Sequence, residues 1–271
     1  MIDLGLTGRR AIVTGAGYIQ ERAGHGRYTA LQLASAGASV ACVDIDAGRA
    51  ERIVAEIAEA GGKAFPVVAD VRDRAQVTRA FDEAVAQLGG VDVCVDIVGL
   101  ATWNSVLDIS PQEWNDQLAE NLTHVFSVWQ EAARRMVAQG GGGSLVALAS
   151  VDATVAAAFH AAYGAAKAGI ISLAKTFAHE LGRHGIRANA VAPGNVGSGN
   201  MNQPAGEYAV NGINPLAAPR AIDIANAVLY LCSDLAARTT GQTLLVEGGA
   251  TTAELWGVEE SMLPALRKGL P

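Results

Sequence analysis

The sequence of 271 residues predicts an α/β fold, in which helices flank a single doubly wound parallel sheet of about seven strands. Short apolar runs alternate with stretches of helical spacing, which is the rhythm of repeated β-α units. The apolar runs are too hydrophobic for strands that face water, so we expect helices on both faces of the sheet. No linker and no internal repeat divides the chain. We therefore predict one domain over residues 1–252 and a C-terminal tail over 253–271.

The predicted strands are short, rich in β-branched residues and bounded by turn residues. They cover residues 10–14, 39–43, 63–68, 91–95, 144–149, 186–191 and 243–246.

The predicted helices follow from apolar spacing and from capping residues. Asp46 is placed to cap the second helix, and Pro111 stands at the first position of the fourth. The helices cover residues 26–36, 46–60, 73–88, 110–138, 162–184 and 221–232. A stretch rich in glycine, asparagine and proline, about residues 194–220, is too long for a simple connector, so we expect it to be a functional loop near the substrate.

The composition excludes several classes of protein. Half of the residues are hydrophobic and 17% are charged, which supports a buried core and argues against disorder. The net charge is −7 and no basic stripe is present, so nucleic acid is not an expected partner. We see no signal peptide and no apolar run of ~18 residues, which predicts a cytoplasmic protein without membrane spans.

Cysteine and histidine show no metal-binding pattern. Cys42, Cys94 and Cys232 lie far apart in apolar stretches, so we interpret them as buried thiols in a reducing compartment. His179 and His184 are five positions apart, which is off the face that a helical metal pair needs. We predict no catalytic metal.

A glycine-rich turn joins the first strand to the first helix. Its glycines, Gly15, Gly17, Gly24 and Gly26, allow backbone N–H groups to approach a pyrophosphate at the start of a helix. Asp44 ends the second strand, where a carboxylate would accept hydrogen bonds from an adenosine ribose and repel a 2′-phosphate. This pattern favours NAD over NADP. The alternative for Asp44 is a helix-capping residue.

Tyr163 and Lys167 are four positions apart and therefore share one face of the long helix. A free tyrosine has a pKa of about 10, and a nearby ammonium and a cationic nicotinamide would both favour the phenolate. Ser150 ends the preceding strand and could donate a hydrogen bond to a substrate oxygen. The plainer alternative is a coincidental surface pair beside a serine in a turn.

The chain resembles the short-chain dehydrogenase/reductase family over nearly all of residues 6–249. The residues that carry the resemblance are, in order, Thr14-Gly15, Asp44, Asp70-Val71, Asn121-Leu122, Ser150, Tyr163 with Lys167, Pro193-Gly194, Thr240-Gly241 and Gly248-Gly249. The family fold is a single Rossmann-type sheet, usually of seven strands. The resemblance implies hydride transfer between a nicotinamide and an alcohol or carbonyl carbon.

By position, the resemblance makes Tyr163 the acid/base and Ser150 the group that orients the substrate oxygen. Lys167 would lower the tyrosine pKa and bind the nicotinamide ribose, and Asn121 would hold a water in a relay toward Lys167. The bare alternative for Asn121 is a buried helix residue bonded to backbone. Further cofactor contacts are implied at Asp70, Val71, Gly99, Pro193, Gly194, Val196 and Ser198. Without the family pattern, Asp70 is an ordinary turn aspartate.

The sequence departs from the family pattern at three places. The turn between Gly15 and Gly24 carries an insertion of five residues, Tyr18 to Arg22, and Arg22 could contact a phosphate. The family's Asn-Asn-Ala-Gly reads Asp96-Ile97-Val98-Gly99, and an ionised Asp96 can accept but not donate hydrogen bonds. We expect altered local bonding there rather than loss of the fold. Glu247 replaces the usual aspartate before the last glycine pair.

The substrate is expected to be a medium-sized ketone or secondary alcohol in a mostly apolar pocket with one or two polar groups. The segments that border the substrate in this family contain Trp103, Asp152, Ala153, Val155, His160 and Met201. Trp103 and Met201 could equally be core residues. The tail covers the substrate loop or packs on a neighbouring subunit, and the resemblance implies a homotetramer.

Two other functions compete with an NAD-dependent dehydrogenase or carbonyl reductase. The insertion and the change at Asp96 would suit a nucleotide-binding regulator that has lost catalysis, although all four catalytic-type residues are present. A lyase or epimerase on the same fold is the third possibility, because a fold does not determine a reaction.

Overall fold

The computed structural model describes residues 2–17, 24–196, 216 and 218–252. These residues form one sheet of seven parallel strands in the order β3-β2-β1-β4-β5-β6-β7. The strands are β1 (Arg10–Thr14), β2 (Ser39–Asp44), β3 (Lys63–Val68), β4 (Val93–Asp96), β5 (Gly143–Leu148), β6 (Ile186–Pro193) and β7 (Thr243–Val246). The predicted fold class and strand number are confirmed.

The helices lie close to their predicted positions. They are α1 (His25–Ser35), α2 (Ala47–Glu59), α3 (Arg74–Leu88), α4 (Pro111–Leu118), α5 (His124–Gln139), α6 (Ala161–Leu181) and α7 (Ala221–Cys232). Asp46 caps α2 by accepting from the Arg49 backbone N–H, as expected. The fourth predicted helix is in fact two helices, because a π-helical turn over Ala119–Thr123 separates α4 from α5. The long helix ends at Leu181, and a 3₁₀ turn follows.

Helices cover both faces of the sheet, as the apolar strands require. Side chains alternate along each strand, so Ile12 and the next residue, Val13, enter different cores. The Ile12 core includes residues of α3, α5 and α6, among them Phe81 and the fully buried Trp129. The Val13 core includes residues of α1, α2 and α7.

The arrangement leaves a crevice at the carboxyl ends of the strands. The strand order reverses between β1 and β4, since β2 and β3 lie on one side of β1 and the later strands on the other. Open α/β sheets bind their ligands at such a switch point. Within the described ranges, no helix combines the length and apolarity needed to cross a bilayer, and no group of three or more potential metal ligands is found.

Candidate functional site

A cleft of about 930 Å³ opens along the carboxyl ends of the strands. One part of it, here called the glycine-turn end, is formed by Gly15, Gly17, Gly26, Asp44 and Asp70. The other part, the tyrosine end, is formed by Ser150, Asp152, His160, Tyr163 and Lys167. The structure thus brings the two sequence-predicted groups into one continuous site.

The glycine-turn end depends on a close backbone approach between the turn and the start of α1. A Cβ added at Gly26 would overlap the carbonyl oxygen of Gly15. No other residue type fits here without moving the turn or the helix. Gly24 precedes α1 in a left-handed conformation with φ 74°, and the helix N-terminus carries a partial positive charge into the cleft.

Asp44 holds the turn against the end of β2. Its two carboxylate oxygens accept hydrogen bonds from the backbone N–H groups of Gly17 and Asp46, each at 3.0 Å. The side chain is buried yet lines the cleft. Asp46, and not Asp44, is the N-cap residue of α2. Arg49 also lines the cleft here, a basic neighbour that the sequence analysis did not single out.

Asp70 and Val71 lie in the wall of the cleft. The Asp70 carboxylate accepts hydrogen bonds from the Arg72 guanidinium, with Nη2 2.7 Å from Oδ2. This contact lowers the pKa of Asp70 below its usual value. An adenine would meet a carboxylate that already has an arginine partner.

Ser150, Tyr163 and Lys167 meet at the tyrosine end. Ser150 follows β5, and its hydroxyl accepts a hydrogen bond from the Asp152 backbone N–H at 3.2 Å. Lys167 Nζ lies 5.5 Å from the centroid of the Tyr163 ring, one helical turn away on α6. The same Nζ donates to the Leu148 carbonyl at 2.8 Å, which ties the ammonium to the end of β5.

The pKa of Tyr163 is raised in this structure, whereas the family resemblance implied that Lys167 would lower it. Burial raises the pKa of Tyr163, a hydrogen bond with Ser150 opposes this, and the charge of Asp152 adds to the increase. Burial also lowers the pKa of Lys167 to about 8, although the Asp96 charge acts in the other direction. The protein around this phenol therefore disfavours phenolate, and Lys167 by itself does not reverse that.

Asn121 lies behind the cleft wall in the π-helical turn, a feature often found at functional sites. Its side chain is fully buried and bonds to the Leu100 backbone, donating to the carbonyl at 2.9 Å and accepting from the N–H at 3.0 Å. A Cβ at Gly99 would lie 2.9 Å from both Asn121 Oδ1 and Lys167 Nζ. The side chain of Asn121 thus holds the Gly99–Leu100 backbone against the lysine, as the bare backbone-bonding reading predicted.

Asp96, the departure from the family pattern, is completely buried at the end of β4. Oδ1 accepts from the Thr14 hydroxyl at 2.9 Å and from the Val98 backbone N–H at 3.1 Å. His124 Nε2, also fully buried, lies 3.3 Å from the same oxygen. These contacts of Asp96 are the altered local bonding that the departure from the family pattern led us to expect. His124 was not foreseen, because only the fold brings α5 beside β4.

The predicted substrate residues divide into three groups. Trp103, Asp152 and His160 line the cleft. Ala153 and Val155 are not among its lining residues. Met201 lies outside the described residues.

Most of the predicted cofactor residues line the cleft. Besides those already placed, these are Gly24, Gly99, Pro193, Gly194 and Val196. Ser198, the insertion Tyr18 to Arg22, most of the substrate loop and the tail lie outside the described residues.

His25, the first residue of α1, is a cleft residue that the sequence analysis missed. Its Nε2 is buried and has no hydrogen-bond partner among the described residues. Burial and the nearby Lys167 charge lower the pKa of this imidazole to about 4, so it is neutral at physiological pH. The feature of the sequence that could have identified it is its position between Gly24 and Gly26.

A parallel sheet with a glycine turn at its switch point is typical of dinucleotide-binding proteins. A family model described as "Enoyl-(Acyl carrier protein) reductase" matches residues 19–251. D-threitol dehydrogenase from Mycolicibacterium smegmatis is 35% identical over 253 residues, covering 92% of this chain and 95% of that protein. The 3-oxoacyl-(acyl-carrier-protein) reductase FabG from Staphylococcus aureus is 38% identical over 245 residues, with 89% and 97% covered.

The crystal structure of a short-chain type dehydrogenase/reductase from Mycobacterium marinum superposes with a TM-score of 0.83 and 32% identity. The match covers 93% of this chain and 98% of that one. The chain belongs to the short-chain dehydrogenase/reductase family of oxidoreductases, which use nicotinamide cofactors.

Proposed function

We propose that this protein is an NAD-dependent dehydrogenase that transfers hydride between a secondary alcohol, or the corresponding ketone, and the nicotinamide. The observation that carries the proposal is one cleft that joins Tyr163, Lys167 and Ser150 to the glycine turn. A dinucleotide fits the residues present, because the backbone approaches closely at Gly26 and the cleft wall is free of a side chain at Gly99. Bound nicotinamide would supply the hydride acceptor or donor.

In the direction of oxidation, Tyr163 would remove the proton from the substrate hydroxyl and Ser150 would hold the same oxygen by a hydrogen bond. In reduction, Tyr163 would return the proton to the carbonyl oxygen. General acid–base groups work best when their pKa is near the operating pH. Because the protein raises the Tyr163 pKa, we propose that Lys167 and the cationic nicotinamide together are needed to favour the phenolate.

Lys167 is suited to a supporting role, since its pKa of about 8 keeps most of the side chain charged at neutral pH. Its bond to the Leu148 carbonyl fixes the ammonium beside the tyrosine ring. We propose that Asn121 supports a water relay toward Lys167 by holding the backbone at Leu100. Both residues would then position groups rather than exchange hydride.

We propose NAD rather than NADP because Asp44 presents a carboxylate at the end of β2, where the adenosine ribose binds in such sheets. Arg49 lies in the same wall and supplies the opposite charge. The preference between NAD and NADP therefore depends on both side chains: the buried Asp44 carboxylate repels a 2′-phosphate, and the Arg49 guanidinium attracts one.

The direct test replaces Tyr163 by Phe, which removes only the hydroxyl. With NAD and a panel of secondary alcohols, the wild type should generate reduced-nicotinamide absorbance, and Tyr163→Phe should lower kcat by roughly 10²–10⁴. Tyr230→Phe is the matched control, since Tyr230 lies on α7 and is 39% exposed. Unchanged turnover in Tyr163→Phe would refute the proposal.

A further inference from the structure

Asp152 and His160 form a bonded pair at the tyrosine end that the proposed chemistry does not use. Nδ1 of His160 lies 2.6 Å from Oδ2 of Asp152, and the two side chains are 10% and 14% exposed. The pair joins the 3₁₀ turn over Val151–Ala153 to the residue before α6. Along the chain, both residues lie between Ser150 and Tyr163.

The imidazole is placed beside the proposed acid/base. Its ring centroid lies 5.4 Å from that of Tyr163 and 4.1 Å from that of Trp103. The charge of Asp152 is close enough to contribute to the raised pKa of Tyr163. A ligand that reaches the tyrosine hydroxyl therefore passes near this pair.

The backbone holds His160 in place at the preceding residue. Phe159 has φ of 67°, a left-handed conformation that is uncommon for a residue other than glycine. Its carbonyl accepts the Asn104 backbone N–H at 2.9 Å, which ties the segment to the chain after β4. The orientation of the ring thus follows from the fold as well as from Asp152.

The other ring nitrogen of His160, Nε2, lacks a hydrogen bond within the described part of the chain. This atom is also buried. In the neutral tautomer whose Nδ1–H donates to the Asp152 carboxylate, Nε2 carries no proton. Nε2 is then a hydrogen-bond acceptor, and a buried polar atom without a partner calls for an explanation.

We infer that Nε2 of His160 accepts a hydrogen bond from a second hydroxyl of the substrate, located one or two carbons from the reacting carbon. The inference rests on the proposed function, because the first hydroxyl is the one that meets Ser150 and Tyr163. A carbonyl or carboxylate cannot donate to Nε2, and the Asp152 charge opposes an anion. The ring of Trp103 packs on the imidazole, but Trp103 is 72% exposed. Few contacts therefore hold this ring in place when a substrate hydroxyl approaches Nε2. The substrate class is therefore a diol or polyol.

The test uses three substrates on one four-carbon frame: 2-butanol, 2,3-butanediol and 2-hydroxybutanoate. With NAD, the wild type should show kcat/KM for the diol roughly tenfold or more above that for 2-butanol, because only the diol satisfies Nε2. The hydroxy acid should be the poorest substrate of the three. Equal values for 2-butanol and the diol, or a preference for the hydroxy acid, would overturn the inference.

Two variants of similar length separate hydrogen bonding from packing. His160→Met should bring the ratio of diol to 2-butanol close to one, while His160→Gln should keep part of the preference through its amide oxygen. His179→Met and His179→Gln are the matched controls, since His179 is exposed on α6 away from the cleft, and both should keep the wild-type ratio. A His160→Met protein that still prefers the diol would overturn the inference.

Failure of the proposed function gives a different result. If the wild type reduces NAD with none of the three substrates or a wider alcohol panel, the dehydrogenase proposal fails and this inference fails with it. If NAD is reduced but the diol has no advantage, only the inference fails. The ratio measured within the wild type does not depend on whether either His160 variant folds.

Discussion

At the glycine-turn end of the cleft the acidic side chains are already bonded to the protein, whereas the Asp152–His160 pair at the tyrosine end leaves one ring nitrogen without a hydrogen bond in the described part of the chain. Asp44 accepts two backbone N–H groups, and Asp70 is paired with Arg72. By contrast, Nε2 of His160 is buried without a hydrogen bond among the described residues. At the start of α1, beside the glycine turn, Nε2 of His25 is buried in the same way.

The difference indicates two ways of recognising a ligand. The glycine-turn end has its shape and charge in place before a ligand arrives, which suits a cofactor common to many enzymes. The tyrosine end instead holds a buried ammonium and a phenol of raised pKa, so its ionisation is unfavourable until a ligand adds charge or hydrogen bonds.

The largest expected effect is the loss of activity in Lys167→Met. Removing the ammonium 5.5 Å from the Tyr163 ring takes away the only cation that the proposed mechanism draws from the protein. We expect kcat/KM to fall by roughly 10²–10⁴, measured by reduced-nicotinamide absorbance. Lys175→Met, an exposed change on the same helix, should stay near the wild type. Comparable activity in the two variants would contradict a role for Lys167.

A change at the glycine-turn end should act on cofactor binding instead. In Gly26→Ala the new methyl group overlaps the Gly15 carbonyl, so the turn and α1 must separate. We expect NAD affinity to fall by roughly 100-fold, as measured by calorimetry, for a loss of about 2.7 kcal/mol. In Gly48→Ala the nearest atom is Asp46 Oδ1 at 3.4 Å, so this helical control should bind normally. Normal NAD binding by Gly26→Ala would show that this close approach is not needed.

The buried ammonium should reduce stability while it serves the reaction. Burial lowers the Lys167 pKa from 10.5 to about 8. Lys167 therefore binds its proton less tightly in the folded protein than in the unfolded chain, and the charged form reduces stability. Below pH 8, Lys167→Met should raise the free energy of unfolding by about 2 kcal/mol, after allowance for the lost bond to Leu148. The gain should disappear as the pH rises from 8 to 10.5. Urea titrations across that range would reveal the opposite trend if the lysine were instead stabilised in its charged form.

The smallest effect concerns the choice of cofactor. Replacing Asp44 by Ser removes the charge that repels a 2′-phosphate and leaves Arg49 in the wall. We expect the ratio of kcat/KM for NAD to that for NADP to fall by roughly tenfold or more. Arg49→Ala should move the ratio the other way. A wild-type enzyme that prefers NADP would contradict the NAD proposal.

Local patterns predicted the parts of the fold that depend on local chemistry. β-branched runs located the strands, and Tyr163 and Lys167 share a face because they are one helical turn apart. The π-helical turn around Asn121 was missed because no apolar spacing marks it. The contacts of Asp96 with His124 and of Asp152 with His160 join separate elements or cross a turn. Such pairs depend on tertiary geometry, which spacing does not encode.

The most direct test of hydride transfer follows the hydrogen itself. A secondary alcohol deuterated at the carbinol carbon is incubated with NAD and the wild-type protein, and the nicotinamide product is examined by NMR. We expect one deuterium at C4 of the reduced nicotinamide and an equal amount of ketone. Alcohol converted with no deuterium at C4, or with the label lost to water, would contradict a dehydrogenase.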